Sequence, residues 1–202
     1  YRGQTVISYA YSAEDYLTVT TANPNGASSS VVYDRLDRVV KEADALGSET
    51  SSYYDAFGNL TAGVSGERST QFGYDIMGNN TSATDARGNT TTFAFDLTGR
   101  MTQKTNADGG VISYAYDALG NVLATTDAKG GVTTYRYDAF GNKIKTIDAL
   151  GNVTAFGYDA MNNLVCETNA LGGQKTYAYD LRGNLASVTE GGLTYTYEYD
   201  AM

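Results

Sequence analysis

The stretch from Tyr116 to Tyr137 reads YDALGNVLATTDAKGGVTTYRY, and its period decides the fold. An aromatic-Asp pair opens it at Tyr116-Asp117, and the next pair, Tyr137-Asp138, follows at its end. The same pair stands at Tyr33-Asp34, Tyr54-Asp55, Tyr74-Asp75, Phe95-Asp96, Tyr158-Asp159, Tyr179-Asp180 and Tyr199-Asp200, always 20 or 21 residues from its neighbour. Tyr9-Ala10-Tyr11-Ser12 reads as a worn earlier copy, since Tyr11 precedes Tyr33 by 22 residues. The repeat fills residues 1–202 as a single array, with one stretch of small polar residues from Thr20 to Ser30 that holds the only proline, Pro24.

Two turn signals fall in each period. The first follows the aromatic-Asp pair and ends in Gly-Asn, as at Gly58-Asn59, Gly78-Asn79, Gly120-Asn121, Gly141-Asn142 and Gly183-Asn184. Asp suits the start of a turn, and Gly-Asn tolerates positive φ. The second is Asp85-Ala86-Arg87-Gly88 and its counterparts at Asp127, Asp148 and Asn169, with a shorter version around Gly63 to Gly66. Between the turns lie runs of strand length and composition, such as Val122 to Thr126 and Val132 to Tyr137. Each period is therefore a β-hairpin. A turn signal about every ten residues rules out helix, whose interior loses about 1 kcal/mol for each Gly. The expected fold is all-β: a continuous antiparallel sheet of tandem hairpins, long enough that it must coil.

Side chains alternate across a strand, so residues two apart share a face. Phe72, Phe93, Tyr114, Tyr135, Phe156, Tyr177 and Tyr197 each precede a pair by two, whereas the intervening positions are mostly small or polar. One face is thus aromatic, and the sequence predicts rows of rings that contact one another from repeat to repeat.

Composition excludes several functions. The chain of 202 residues carries 14 basic and 23 acidic residues, a net charge of -9, and its cations are scattered from Arg2 to Arg182, which disfavours nucleic acid. It contains no His, which removes the usual neutral-pH base and the commonest zinc ligand. Cys166 is the sole cysteine, with no histidine to activate it, and reads as a partly buried, idle strand residue. No run approaches the roughly 20 apolar residues of a membrane span. The 16 Asp invite a calcium reading, but one Asp per turn is explained by turn initiation, so neither metal nor cofactor is expected. Paired carboxylates for catalysis are not singled out either, because every Asp has equivalents in neighbouring repeats and Glu67, Glu167, Glu190 and Glu198 share no repeat position. No catalytic residue is assigned. Sequons such as Asn59-Leu60-Thr61 follow from Gly-Asn turns before Thr-rich strands and are not evidence of glycosylation.

The signature Tyr-Asp-x-x-Gly-Asn, then Thr-Asp-Ala-x-Gly, then Thr-x-Tyr-x-Tyr-Asp resembles the YD repeat of rearrangement hotspot (Rhs) proteins, over essentially the whole chain. The resemblance implies hairpins that build a spiralling hollow shell. In bacterial Rhs toxins that shell encloses a C-terminal toxin; in teneurins a comparable shell belongs to an adhesion receptor. It further implies a bacterial, secreted or surface-delivered protein whose partners are the enclosed toxin of the same polypeptide, flanking repeats and secretion machinery. The Pro- and Asp-containing self-cleavage signature of the bacterial proteins is not found here. The chain opens on Tyr1 and closes on Met202 inside a motif, so it reads as an excerpt, and a cut array is expected to self-associate through its open strand edges. Asp37-Arg38, Asn162-Asn163 and Gly99-Arg100 depart from the motif and are expected to weaken their turns. The alternative reading is an extracellular module that binds glycan or protein on its outer face, with Phe57 and Phe140 as candidate contacts, or else as local packing against the hairpin.

Overall fold

A computed structural model describes residues 5–14 and 16–200; the N-terminal Tyr1 and Arg2 and the C-terminal Met202 lie outside the described residues. The described residues form an open antiparallel sheet of nineteen strands without a helix. In chain order these are β1 (Val6–Tyr11), β2 (Leu17–Ala22), β3 (Ser28–Tyr33), β4 (Val39–Ala43), β5 (Glu49–Tyr54), β6 (Leu60–Ser65), β7 (Arg68–Tyr74), β8 (Asn80–Thr84), β9 (Thr90–Phe95) and β10 (Met101–Thr105). They continue as β11 (Val111–Tyr116), β12 (Val122–Thr126), β13 (Val132–Tyr137), β14 (Lys143–Ile147), β15 (Val153–Tyr158), β16 (Leu164–Thr168), β17 (Gln174–Tyr179), β18 (Leu185–Glu190) and β19 (Leu193–Thr196). The strands read from the sequence at 122–126 and 132–137 are β12 and β13.

The chain divides into two compact units, Tyr1–Gly99 with Thr105–Asp108, and Arg100–Lys104 with Gly109–Met202. In the first, each strand from β1 to β8 pairs with the next, up to the β8–β9 ladder Ser82↔Thr92, Ala83↔Thr91, Thr84↔Thr90. In the second, the same holds from β11 to β19. Val188, 8% exposed, is the one buried apolar side chain among the described residues. Each unit is a single layer of sheet with no second layer to pack on, so its order rests on backbone ladders, turns and side chains along its faces.

Where both turns of a period span five residues, they are one structure. In the first, Asp55 N–H donates to the Asn59 carbonyl at 3.0 Å and Gly58 N–H to the Asp55 carbonyl at 3.1 Å. In the second, Asp85 and Asn89, with Gly88, repeat the same bonds at 2.9 Å each. The worn copy obeys too, with Ser12 Oγ accepting from the backbone of Glu14 and Tyr16, both at 3.2 Å. The small polar stretch from Thr20 to Ser30 is likewise absorbed: Asn23 N–H bonds the Ala27 carbonyl at 2.8 Å, and β2 and β3 flank the turn. Near Gly63, the shorter turn closes β6 on β7 through Ser65↔Arg68 with Gly66 at φ 59°.

The fourth position of the five-residue turn requires positive φ, which an L-side chain adopts at a cost of about 1–2 kcal/mol. Gly120 holds it at φ 93°, and where the sequence lacks glycine, Asp37 and Asn162 take φ 57° and 65°. Asn162 regains part of that cost, because its Oδ1 accepts from Asn142 Nδ2 at 2.9 Å. Asp37→Gly is therefore expected to raise stability by about 1 kcal/mol, or about 2–4 °C in Tm for a chain of this size. Asn162→Gly should gain less, and Gly120→Ala should lower Tm. Thermal melts followed by circular dichroism check the order.

Candidate functional site

The feature that recurs in every period, and to which the repeat-motif residues converge, is the joint between one hairpin and the next. It begins with a β-bulge. In β11–β12 the register runs Ala115↔Ala124 and then Tyr116↔Val122, so Leu123 has no partner. The same slip occurs immediately before Tyr33, Tyr54, Tyr74, Tyr137, Tyr158 and Tyr179. On the other side of these strands the ladder stops early, except at β3, which pairs β2 along its whole length from Ala22↔Ser28 to Leu17↔Tyr33: β12–β13 ends at Ala124↔Thr134 and β14–β15 at Lys145↔Ala155. Beyond those pairs a backbone carbonyl is left facing the gap.

The tyrosine hydroxyl fills it. Tyr54 Oη donates to the Val39 carbonyl at 2.9 Å, Tyr74 to Leu60 at 3.0 Å, Tyr116 to Met101 at 2.7 Å and Tyr137 to Val122 at 3.0 Å. Tyr158 reaches Lys143 at 3.1 Å, Tyr179 Leu164 at 3.0 Å and Tyr199 Leu185 at 3.1 Å. Each acceptor is the residue just after the preceding first turn, so each of these seven hairpins is tied to the one before it. Burial of the ring raises the pKa of Tyr137 and of Tyr158, which keeps the phenols protonated as donors. Phe95 alone lacks the hydroxyl; the repeat would place its acceptor at the Asn80 carbonyl.

The aspartate that follows shapes the rim. Asp117 Oδ1 accepts from the backbone N–H of Leu119 at 2.9 Å and of Asn121 at 2.8 Å, and its Oδ2 accepts from Asn121 Nδ2 at 2.9 Å. Asp55, Asp75, Asp138, Asp159 and Asp180 do the same with Asn59, Asn79, Asn142, Asn163 and Asn184. The asparagine, expected for its permissive φ, acts instead as a side-chain donor to the carboxylate, and the glycine before it takes the positive φ. These donors hold the carboxyls below their ordinary value: the Asn side chain first for Asp55, Asp75, Asp117, Asp138, Asp159 and Asp180, and the Arg38 side chain for Asp34. With their oxygens already facing N–H groups, these carboxylates are turn elements rather than a ligand cage.

Arg38 and Arg100, expected to weaken their turns, do the opposite. Arg38 Nε donates to Asp34 Oδ2 at 2.8 Å, and its guanidinium lies 4.7 Å from the centre of the Tyr54 ring in the next repeat. Arg100 donates from Nη1 to the Asp117 carbonyl at 2.9 Å and lies 4.9 Å from the Tyr116 ring. A longer side chain at the asparagine position thus spans to the following hairpin.

Strands that carry equivalent rings stand two spacings apart, about 9–10 Å, wider than the 4.5–7 Å of direct aromatic contact, and in one gap of the predicted row a cation stands between the rings. Lys143 Nζ lies 5.7 Å from the Tyr135 ring and 5.1 Å from the Phe156 ring, and Thr125 Oγ1 meets Tyr135 Oη at 3.4 Å. Phe57 and Phe140, at turn tips, are 89% and 82% exposed and do not pack on their hairpins. Cys166 is half-buried, with its Sγ 3.8 Å from Thr168 Oγ1.

The family model described as RHS Repeat matches residues 33–66, 78–111 and 116–153, slightly more than half of the chain. No curated protein matches. Among solved structures, the Photorhabdus luminescens Tc holotoxin pore with the TccC3-D651A mutation is similar at TM-score 0.58 and 14% identity, over 92% of this chain and 14% of that one. TcdB2-TccC3 without its hypervariable C-terminal region gives 0.55 at 15% identity, and TcdB2-TccC3-Cdc42 gives 0.54 at 14%; both cover 95% of this chain and 15% of theirs. At these identities the likeness is one of fold, and the chain spans about a seventh of the structures it matches.

Two outcomes test the joint. Tyr158→Phe should cost about 1 kcal/mol by leaving the Lys143 carbonyl without its donor, whereas Phe95→Tyr should gain a similar amount; paired thermal melts decide. Acid should dissolve the rims. A carboxyl with a folded pKa below its unfolded value of about 3.9 stabilises above that pH and loses the effect as pH falls through the folded value. With no histidine present, Tm is expected to stay flat between pH 5 and 8 and to fall below about pH 4.

Proposed function

The chain belongs to the RHS-repeat family, and from that premise we propose that it is a non-enzymatic structural segment of an Rhs-type toxin, one stretch of a shell wall that encloses a C-terminal toxin of the same polypeptide. The observation that carries this reading is the joint itself. The residues of the repeat motif are engaged in holding the array together, Tyr137 Oη bonding the Val122 carbonyl of the hairpin before it and Asp138 fixing its own turn. A wall needs that regularity, because its task is to continue without interruption. The fold likeness to TcdB2-TccC3 structures supports the same reading. Residues 1–202 act as one array, with flanking repeats at each end and delivery outside a bacterial cell through secretion machinery. No cofactor or metal is required for this role, and nucleic acid and membrane insertion have no part in it.

The second reading, an adhesion or glycan-binding surface on a large extracellular protein, draws on the exposed Phe57 and Phe140. Both belong to a general row of apolar turn tips that includes Leu36, Leu119 and Leu181, so neither marks a special site.

Limited proteolysis of the parent polypeptide, with mass spectrometry before and after mild denaturation, separates the two. Persistence of a C-terminal piece until the shell is opened is the expected result. Immediate digestion of the downstream region while the repeats persist would favour the surface-binding reading.

A further inference from the structure

Two strand lysines meet carboxylates across their ladders. Lys41 Nζ lies 2.9 Å from Glu49 Oε2 in the first unit, and Lys175 Nζ lies 3.1 Å from Glu190 Oε2 in the second. One pair breaks that pattern. In β13–β14 the register sets Arg136 directly opposite Lys145, with Cβ atoms about 5 Å apart, and like charges placed so destabilise an antiparallel pair. Arg136 is exposed and Lys145 half-buried. Neither has an ion pair or a ring contact among the described residues, unlike Lys143, whose Nζ lies by the Tyr135 and Phe156 rings on the other face.

The wall does not require these cations. At the same two positions other repeats set Ala115 against Ala124 and Ala178 against Ser187. Nor does their own face neutralise them. It continues through Lys145↔Ala155, Ala155↔Thr168 and Gly157↔Cys166, and from β11 to β19 every other residue paired on it is uncharged. Asp138, two residues beyond Arg136, has its oxygens on the N–H groups of Phe140 and Asn142 and on the Asn142 side chain. Glu198, past the end of β19, is six strands away. Two uncompensated positive charges thus stand together on a face of small neutral side chains, in a chain of net charge -9.

We infer that Arg136 and Lys145 form a docking point for a short acidic peptide segment of a partner polypeptide, one carboxylate meeting the guanidinium and a neighbouring one the ammonium. Charge complementarity selects this occupant. The fork of Arg136 matches a carboxylate through two N–H groups, and Lys145 adds a point charge beside it. The small neighbours let an extended segment approach the sheet. A nucleic-acid backbone does not fit, because it needs a stripe of cations rather than two. The inference is independent of what the shell encloses, and its failure would leave the wall role untouched.

Fluorescence anisotropy of labelled hexaglutamate titrated with the full chain tests it, at about 0.01 M salt, where charges act over about 30 Å. Binding is expected despite the net negative charge of the chain, with labelled hexaglutamine as the silent control. Arg136→Gln combined with Lys145→Gln should lower the affinity about fivefold, whereas Lys129→Gln combined with Arg182→Gln, which removes the same charge elsewhere, should leave it unchanged. Arg136→Gln alone should keep or raise Tm, since it relieves a like-charge contact. Undiminished affinity in the folded Arg136/Lys145 variant, equal binding of hexaglutamine, or a lowered Tm in Arg136→Gln would overturn the proposal. Displacement of the peptide by an equal concentration of inorganic phosphate would overturn it too, by marking a site for small anions, as would loss of self-association in the double variant, by marking a contact between copies of the chain.

Discussion

A phenol hydroxyl that donates to a backbone carbonyl fourteen or fifteen residues back is the bond on which the regularity of this sheet depends. A meander of short hairpins has an inherent weakness: a bulge bends each hairpin, and a bent hairpin parts from its neighbour before the ladder is complete. Here the parting occurs after three pairs, as at Ala124↔Thr134, and leaves a carbonyl that would be costly if it stayed half-buried without a donor. Tyr137 closes that gap with a ring long enough to cross it. The bulge gives curvature and the tyrosine limits its cost, so the two are parts of one device.

The aspartate beside the tyrosine acts at right angles to this. It ends the strand, captures two backbone N–H groups on one oxygen and an asparagine or arginine on the other, and turns the chain without help from any second layer. That autonomy matters because Val188 is the one buried apolar side chain among the described residues. A single layer of sheet has no core to impose its turns, so the turns must be fixed locally. Apolar tips such as Leu119 and Leu181 then stand exposed along the rim.

Regularity also makes irregularity informative. Asp37 and Asn162 bear positive φ without glycine, Arg38 and Arg100 bridge where asparagine stands elsewhere, and Phe95 omits the hydroxyl, yet each keeps the frame of the repeat. The position just before the pair varies more freely, being small at Gly73, Ala94, Ala115, Gly157 and Ala178 but large at Val32, Tyr53, Arg136 and Glu198. The first group shows how much variation the joint tolerates, and the second that the opposite face is not held to one residue type.

By itself the sequence determined the strands, the hairpins and the spacing of the turns, because the period of the aromatic-Asp pairs and the alternation along Val132 to Tyr137 are properties of neighbouring residues. It also showed that the Asp residues belong to turns. What only the tertiary structure decided was the use of each side chain between repeats: the bulge at Leu123, the hydroxyl strut of Tyr116, the asparagine as a carboxylate donor, and a cation in a space where stacked rings were expected. The physical reason is that these depend on register. Alternation says which face a ring is on, but whether it meets another ring, a lysine or a distant carbonyl is set by strand spacing and by where one ladder stops, and neither is written in local residue order.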